Sequence, residues 1–316
     1  MDRVLVAGAG AVGSVFGGLL ANAGFEVTLL GRTLHMQAVA RRGLRICGIW
    51  GEHRATRLDV ATAPASWKSA FDAVLVTVKS YDTGTLAPLV AEWLAPRGVA
   101  ISLQNGLGNL ERLAAHVDPA HVLGGRVIFG AEVTEPGVVE VTVCAEPVRV
   151  GAWLATDNNA VSQAHRWAAA FRQAGIPTEP CNSIVAELWA KVFYNAALNP
   201  LGALLRWPYG ALAANPETRA LMDQVIAECF AVAQAERVPL PWSSAESYRE
   251  HFYSRLVPPT AAHRSSMLQD LERGKRTEID AINGEVWRRG ALHGISTPLN
   301  ELLTRLVRAA TTPSQS

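Results

Sequence analysis

Three polar side chains spaced four residues apart mark the stretch of this chain best suited to chemistry. Lys191, Asn195 and Asn199 lie in the sequence VAELWAKVFYNAALNP, where most neighbours are apolar. On an α-helix a step of four residues turns through about 400°, so the three side chains share one face. An ammonium group can donate a proton, and two carboxamides can orient a small polar molecule. A solvent-exposed stripe on a surface helix is the competing interpretation.

The composition indicates a globular protein rather than a nucleic-acid-binding or membrane protein. The chain has 316 residues, which is long enough for two domains. Hydrophobic residues make up 49% and charged residues 18%, as is usual for globular chains. Because the formal net charge is only +1, we expect neither a nucleic acid nor a membrane surface as a partner.

The cysteines and the apolar amino-terminal stretch bear on the cellular compartment. Cys47, Cys144, Cys181 and Cys229 are scattered, and no C-x-x-C pair or Cys/His spacing suggests a disulfide framework or a metal site. Reduced thiols and a cytoplasmic location are the simplest expectation. Residues 4–23 are almost all apolar or glycine and could be taken for a signal peptide or a membrane span, but their glycine spacing has another explanation.

That explanation is a dinucleotide-binding motif in its expected context. Residues 3–7 (RVLVA) predict a buried strand, a G-x-G-x-x-G sequence and a helix follow, and residues 26–30 (EVTLL) predict a second strand. This order within about 30 residues is typical of a domain that binds a pyrophosphate at a helix amino terminus. The residues expected to hold the cofactor there are Gly8, Ala9, Gly10, Ala11, Val12 and Gly13.

The residue after the second strand selects the form of the cofactor. Binders of NAD(H) tend to place an acidic residue there to hold the ribose 2′-hydroxyl group. This chain has Leu30, Gly31 and Arg32 instead, and an arginine suits a 2′-phosphate. The sequence therefore favours NADPH/NADP+ over NADH, with a solvated surface cation as the alternative interpretation of Arg32.

Two further polar residues follow strands of the same predicted sheet. Lys79 follows the apolar run at residues 71–78, and Asn105 follows the run at residues 98–103. In open α/β sheets ligands bind at the carboxyl ends of the strands, so both residues are expected to face the cofactor crevice. Either of them alone could equally be an ordinary turn residue.

The remaining pattern predicts an α/β domain followed by an all-helical domain. Further strands are expected at residues 122–129, at 138–150 (partly as a hairpin across Pro136-Gly137) and at 176–178, with a helix at 157–175. The helices expected next, with prolines such as Pro200 at their ends, are residues 184–198, 216–235, 244–253, 265–273, 277–293 and 298–310. We therefore predict a Rossmann-type dinucleotide-binding domain at residues 1–180 and an all-helical C-terminal domain at residues 181–316, with a ligand cleft between them.

Taken together, these segments resemble the ketopantoate reductase (2-dehydropantoate 2-reductase) family over nearly the whole chain. Besides Arg32, the segments that carry the resemblance are GAGAVG (8–13), VTVKS (76–80), QNGLGN (104–109), PGVV (136–139), AELWAKVFYNAALNPLGAL (186–204), SSMLQDLERGKRTEIDAINGEV (265–286) and HGISTP (293–298). The two long carboxy-terminal segments are far more specific than any glycine motif.

The resemblance implies an NADPH-dependent oxidoreductase that reduces 2-dehydropantoate to pantoate in pantothenate (coenzyme A) biosynthesis, and it leaves open a homodimer. Lys191 matches the proton donor, and Glu278 matches an acid that supports catalysis and contacts the cofactor. The positions matching substrate-binding residues are Asn105, Asn195, Asn199 and Ser266. Those matching further cofactor contacts are Arg32, Lys79, Asn105 and Ala131.

One departure from the family pattern leaves the substrate open. Tyr209 stands where some relatives place an asparagine that contacts the substrate. A related NADP-dependent reductase of another 2-keto acid is therefore the first alternative. A protein that senses NADPH without turnover is the second, although sensing requires only the first domain and gives no reason to retain Lys191 and its polar neighbours.

Overall fold

The structure, a computed structural model, describes residues 2–311, which separate into two compact units. The first unit takes the chain up to Gln104 and then Asn109–Ile184. The second takes Asn105–Gly108 and the chain from Val185 onward. A four-residue loop that lies between two parts of the first unit in the sequence thus belongs to the second.

Strands with a mostly apolar sequence dominate the first unit. They are β1 (Arg3–Ala7), β2 (Glu26–Leu30), β3 (Leu44–Gly48), β4 (His53–Ala55), β5 (Asp59–Ala61), β6 (Phe71–Val76), β7 (Leu94–Ser102), β8 (Val122–Arg126), β9 (Phe129–Glu135), β10 (Val138–Cys144), β11 (Val148–Ala152) and β12 (Thr178–Pro180). The helices are α1 (Ala11–Asn22), α2 (Thr33–Arg42), α3 (Thr83–Trp93), α4 (Asn109–Ala114) and α5 (Asn158–Gln173), with short 3-10 turns at Ser80–Asp82 and Pro119–His121.

Within the described residues, eight strands form one sheet in the order β12-β11-β8-β7-β6-β1-β2-β5. Neighbouring strands are parallel except β11 and β8, which are antiparallel. The central strand β1 is buried from Val4 to Ala7, as its unbroken apolar run predicts for a parallel strand covered on both faces. Strand order reverses at β1, so the carboxyl ends of β1 and β6 are where an open α/β sheet binds its ligand.

A second sheet, in the order β4-β3-β10-β9, corrects part of the sequence prediction. The expected hairpin across Pro136-Gly137 is confirmed as β9 and β10. The prediction of one strand at residues 122–129 is wrong, because β8 and β9 belong to different sheets. Strands β3, β4 and β5 were not predicted, since they are short and carry polar residues that weaken the apolar pattern.

Among the residues that the structure describes, the second unit contains helices and loops and no strand, which confirms the predicted fold class. Its helices are α6 (Ile184–Leu205), α7 (Tyr209–Ala214), α8 (Pro216–Ala235), α9 (Ala245–His251), α10 (Ser266–Glu272), α11 (Asn283–Leu292) and α12 (Pro298–Thr311). Short helical turns lie at Phe252–Leu256, Pro258–Thr260 and Ile279–Ala281, the first of them π-helical.

Helix α6 continues past the point at which Pro200 was expected to end it. Proline lacks the N–H group that would bond the carbonyl group of Ala196 one turn earlier. The side chain of Asn283, fully buried, supplies the missing donor, with Nδ2 at 3.1 Å from that carbonyl oxygen. The prediction of a helix end near residue 198 was wrong because the compensating donor comes from a distant part of the chain.

The same asparagine begins a buried polar network that ties four helices together. Asn283 Nδ2 also donates to Asn300 Oδ1 at 3.0 Å, and Asn300 Nδ2 donates to Glu228 Oε2 at 2.7 Å. The Glu228 carboxylate accepts the backbone N–H groups of Leu299 and Asn300, each at 3.0 Å. These N–H groups lie in the first turn of α12, where a negative charge is favourable. The network holds α6 in place against α8, α11 and α12.

The apolar stretch at residues 4–23 is divided between β1, the glycine-rich turn and α1. No helix within residues 2–311 has both the length and the apolar character that crossing a bilayer requires.

Candidate active site

A chain of hydrogen bonds connects the Lys191 ammonium group to the Glu278 carboxylate through the side chain of Asn105. Lys191 Nζ donates to Asn105 Oδ1 at 2.6 Å, and Asn105 Nδ2 donates to Glu278 Oε2 at a longer 3.4 Å. The ammonium group has only donors and the carboxylate only acceptors, so the amide can satisfy both in this orientation alone. The three residues therefore form a polarised unit with a cation at one end and an anion at the other.

All three members are at least partly buried. Lys191 lies on α6 and is partly buried, Asn105 is partly buried, and Glu278 is 9% exposed. Burying an ammonium group or a carboxylate costs free energy unless opposite charge and hydrogen bonds compensate. The arrangement supplies hydrogen bonds to both charged groups through the Asn105 side chain.

A close backbone contact places Asn105 beside Glu278. The next residue, Gly106, has φ +83, and a Cβ atom there would lie 2.3 Å from the carbonyl oxygen of Ala281. The same oxygen accepts the N–H group of Leu107 at 2.8 Å, and the N–H group of Ala281 donates to the carbonyl oxygen of Glu278 at 3.0 Å. Only glycine fits this position. Its role was missed, although the Asn-Gly pair is a turn signal.

The residue before this loop is anchored in the first unit. Gln104 is buried, and its Nε2 donates to the Val78 carbonyl oxygen at 2.9 Å and to Thr83 Oγ1 at 2.7 Å. Ser102 Oγ donates to Gln104 Oε1 at 3.0 Å. These bonds hold the carboxyl end of β7, from which the chain continues to Asn105. Sequence reasoning did not identify Gln104, and its residue type alone carries no signal.

The two amides on the Lys191 face of α6 are buried. Asn195 is 7% exposed and Asn199 is 4% exposed, so the interpretation as a solvent-exposed stripe is wrong. The Asn195 side chain has no hydrogen-bond partner among residues 2–311, and Asn199 Oδ1 accepts from the Tyr209 hydroxyl group at 2.6 Å. Because buried amides are normally hydrogen-bonded, these two are suited to binding a polar molecule.

Ser265 and Ser266, at the start of α10, have separate positions. Ser265 is fully buried and caps the helix: its Oγ accepts the Leu268 N–H group at 3.0 Å and lies 3.2 Å from the Asn199 carbonyl oxygen, to which it donates. Ser266 is the first helical residue and is exposed. Ser265 therefore caps the helix, and the Ser266 hydroxyl group bonds none of residues 2–311.

The glycine-rich turn has the steric features of a phosphate-binding turn. Gly8 has φ +109, and a Cβ atom there would lie 2.4 Å from the backbone nitrogen of Val78. Gly10 is exposed, and a Cβ atom there would meet only the Gly8 carbonyl oxygen, at 3.9 Å. The protein therefore leaves the outer side of Gly10 open, as the approach of a pyrophosphate requires.

The helix that follows this turn begins with backbone N–H groups that have no intrahelical partner. Gly10 is the N-cap residue of α1 and receives no side-chain capping bond. The first intrahelical donor is the Ser14 N–H group, which bonds the Gly10 carbonyl oxygen at 2.9 Å. Ala9 lies in the turn, and the residues whose N–H groups precede that bond are Ala11, Val12 and Gly13. An anion fits these residues by charge and by geometry.

The other expected cofactor residues also lie in the first unit. Arg32 is exposed at the N-cap position of α2, two residues after the end of β2, and makes no ion pair with the described residues. Lys79 is half-buried and follows β6, the sheet neighbour of β1. Both share the carboxyl edge of the large sheet with the glycine-rich turn. Ala131 does not, because it lies in β9 of the small sheet, opposite Val141.

Comparison with known proteins identifies the family. The family model described as ketopantoate reductase PanE/ApbA matches residues 4–177, and its C-terminal counterpart matches residues 183–311. The 2-dehydropantoate 2-reductase of Aquifex aeolicus is 38% identical over 311 residues, which cover 97% of this chain and 96% of that protein.

Solved structures agree over the whole length. A crystal structure of a PanE/ApbA family ketopantoate reductase from Ralstonia eutropha is 36% identical with a TM-score of 0.86, covering 98% of each chain. The 2-dehydropantoate 2-reductase of Geobacter metallireducens is 29% identical with a TM-score of 0.88, covering 98% of this chain and 99% of that one. The resemblance expected from the sequence segments is confirmed, and this chain belongs to the ketopantoate reductase PanE/ApbA family.

Proposed function

We propose that this chain reduces 2-dehydropantoate to pantoate with NADPH, a step of pantothenate biosynthesis. The observation that carries the proposal is the hydrogen-bonded chain from Lys191 through Asn105 to Glu278, on the helix face that also buries Asn195 and Asn199. The family membership supports the same reaction.

Lys191 is the proposed acid. When bound, the reduced nicotinamide supplies the hydride that is added to the ketone carbon. Negative charge develops on the ketone oxygen, which the protonated Nζ atom stabilises with a hydrogen bond before it donates a proton to it. A positioned acid of this kind contributes about 10² to 10⁴ in rate. Solvent then returns a proton to the lysine.

Asn105 and Glu278 hold Lys191 in its active state. The carbonyl oxygen of Asn105, at 2.6 Å from Nζ, restricts the direction of the ammonium group. The Glu278 carboxylate favours the protonated lysine, because an opposite charge nearby counters the effect of burial. We also assign to both residues a contact with the cofactor.

The amides of Asn195 and Asn199 and the hydroxyl group of Ser266 are the proposed ligands of the keto acid. Their task is to hold the carboxylate and the hydroxyl group of the substrate so that its ketone oxygen faces Lys191. Holding the reactant in one geometry makes the reaction effectively intramolecular, which removes much of the entropic barrier.

The cofactor of the family is a nicotinamide dinucleotide, and we infer that this chain uses the phosphorylated form. The backbone at residues 8–13 would hold the pyrophosphate, and Arg32 would hold the 2′-phosphate, since no acidic residue stands at the end of β2. We assign a supporting contact to Lys79 and a backbone contact to Ala131. Residues 1–180 are thus the proposed cofactor domain and residues 181–316 the proposed catalytic domain; a cytoplasmic location and a homodimer stay predictions.

The test of the substrate is a panel of 2-keto acids, with the loss of NADPH absorbance as the readout. We expect 2-dehydropantoate to give the highest kcat/KM. Failure of every keto acid to accelerate NADPH oxidation would contradict the proposal.

The test of the cofactor is Arg32→Ala, with Arg41→Ala on the exposed face of α2 as the control. We expect the variant to weaken NADPH binding about tenfold, the size of one charge-assisted hydrogen bond to a phosphate, and to leave NADH binding nearly unchanged. Equal losses for the two cofactors would remove Arg32 from the site.

Reduction of a different 2-keto acid is the second candidate, and one contact favours it. The Tyr209 hydroxyl group bonds Asn199. Some relatives have an asparagine in place of Tyr209. A larger side chain there changes the space and the polar groups next to the substrate. Preference for another keto acid in the panel would select this candidate.

A further inference from the structure

The contact between Tyr209 and Asn199 has a consequence for how the substrate is recognised. The Tyr209 hydroxyl group donates to Asn199 Oδ1 at 2.6 Å, and the two residues are 3% and 4% exposed. Burial raises the pKa of Tyr209 well above its ordinary value, so the phenol keeps its proton and acts as a donor.

This donor determines which end of the amide faces the tyrosine. A carboxamide turned by half a rotation exchanges its oxygen for its NH₂ group at nearly the same position. In that orientation the buried hydroxyl proton of Tyr209 would have no acceptor among the described residues, which is costly. The side-chain oxygen of Asn199, Oδ1, therefore faces Tyr209, and the Nδ2 hydrogens are directed away from the tyrosine.

Tyr209 is itself held firmly. Its N–H group donates to the carbonyl oxygen of His263 at 3.1 Å, and the neighbouring Gly210 N–H group donates to that of Ala261 at 2.8 Å. The ring packs edge-on against Tyr194 at 5.8 Å between centroids and against the His263 ring at 5.3 Å. The hydroxyl group consequently has a defined position, as a positioning group must.

Asn199 is held from the other side as well. Its backbone carbonyl oxygen accepts the Ser265 hydroxyl group at 3.2 Å, and Ser265 caps the helix that begins with Ser266. The Asn199 side chain has no acceptor for its Nδ2 hydrogens among residues 2–311. The Asn199 side chain can therefore donate these Nδ2 hydrogens to a ligand.

We propose that Tyr209 is a positioning residue for the keto acid: it holds Asn199 so that the Nδ2 donors face the substrate. The substrate group bound there is then a hydrogen-bond acceptor, either the carboxylate or the ketone oxygen. This inference rests on the proposed function of the site. It adds Tyr209 to the site and states that Asn199 acts on the substrate as a hydrogen-bond donor.

The first test compares Tyr209→Phe with Tyr194→Phe. Each variant removes one hydroxyl group and keeps the ring, and the Tyr194 hydroxyl group bonds Thr260 rather than Asn199. We expect Tyr209→Phe to raise the KM for the keto acid about tenfold, as for the loss of one hydrogen bond, with kcat and the KM for NADPH changed less than about threefold. Tyr194→Phe should leave all three nearly unchanged. A Tyr209→Phe variant with an unaltered KM for the keto acid would overturn the proposal.

The second test separates positioning from a direct or purely structural role. In an Asn199→Ala background, Tyr209→Phe should change the KM by less than about twofold, because the residue through which it acts is absent. If Tyr209→Phe raised the KM by the same factor with Asn199 and with Ala at position 199, Tyr209 would not act through Asn199. The acceptor assignment is tested with Asn199→Asp, which should raise the KM more than Asn199→Ala; a lower KM than in the alanine variant would overturn that assignment.

A third measurement does not depend on turnover. The side-chain amide signal of Asn199 in a nitrogen–proton correlation spectrum can be assigned by its loss in Asn199→Ala. Tyr209→Phe should shift this signal and Tyr194→Phe should not. If no keto acid is reduced, the proposed function fails, while an unshifted signal in Tyr209→Phe is what overturns the positioning role.

Discussion

The glycine-rich turn of the first unit and the polar cluster of the second unit are built in opposite ways. The turn uses backbone N–H groups from consecutive residues, and its glycines remove side chains that would block an approach. The cluster uses side chains from four separate segments, namely Lys191, Asn105, Glu278 and Ser266 with their neighbours. A local motif can therefore indicate the class of cofactor, whereas the chemistry depends on segments that the fold brings together.

The two regions also differ in what disturbs them. A substitution in the turn acts mainly by adding volume, because the turn exposes backbone rather than side chains. In the cluster, loss of one polar group removes a hydrogen bond from each neighbour that it contacts, which affects geometry and charge together. Substitutions in the cluster should therefore reduce turnover, and those in the turn should reduce cofactor affinity.

The largest expected effect is that of Lys191→Ala. We predict that kcat falls by about 10² to 10⁴, the contribution of a positioned acid, while the dissociation constant for NADPH changes less than about twofold. Steady-state kinetics and a fluorescence titration measure the two quantities. Lys275→Ala, in the same unit and partly buried, is the control and should retain normal turnover. Unchanged turnover in Lys191→Ala would exclude the lysine from the mechanism.

Gly106→Ala should produce the next largest effect, because it moves Asn105 without removing a polar group. An added Cβ atom would lie 2.3 Å from the Ala281 carbonyl oxygen, so the loop must shift. A displacement of about 1 Å can cost about 10²-fold in rate. Gly274→Ala is a matched control: Gly274 also has positive φ, +61, but a Cβ atom there meets nothing within 4 Å. If the two variants lost kcat equally, the loss would come from backbone strain and not from the position of Asn105.

A smaller and different effect is expected for Gly10→Ala in the turn. The protein has room for the methyl group, so the melting temperature should hardly change. If a pyrophosphate lies against this residue, the dissociation constant for NADPH should rise about tenfold, which corresponds to about 1.4 kcal/mol. Gly84→Ala, where a Cβ atom also meets nothing within 4 Å, is the control. Unaltered NADPH affinity in Gly10→Ala would place the cofactor elsewhere.

The smallest expected effect concerns the pH dependence of stability in the first unit. His35 Nδ1 accepts the Gly137 N–H group at 3.0 Å, so the proton is on Nε2, which donates to Ser14 Oγ at 3.0 Å. Burial lowers the pKa of His35 below its ordinary value of 6.5. The unfolded chain therefore binds the proton more readily, and the free energy of unfolding should fall as the pH decreases through about 6.5.

Urea unfolding between about pH 5 and about pH 8 measures this effect. The variant His35→Gln should show a smaller decrease toward low pH than the natural chain. Turnover at neutral pH should be nearly unaffected, in contrast to the variants of the cluster. Parallel pH profiles for the two proteins would show that His35 does not control this dependence.

The sequence predicted best those features that are set by residues close together in the chain. The order of strand, glycines, helix and strand at residues 3–30 was predicted and is confirmed. The spacing of Lys191, Asn195 and Asn199 correctly placed them on one helix, and the helical character of the second unit followed from its periodicity. In each case the pattern arises from neighbours within one or two turns or along one strand.

The sequence by itself thus determined the two kinds of domain, the glycine-rich turn between β1 and α1, and the polar face of α6. Only the tertiary structure decided that Asn105 meets Lys191, that Tyr209 bonds Asn199, and that Asn283 lets α6 continue past Pro200. The physical reason is the distance along the sequence between the residues that interact. Helical and strand periodicity are properties of adjacent residues, whereas the partner of a buried polar group is chosen by which distant segments pack together, and the need for a partner does not identify it.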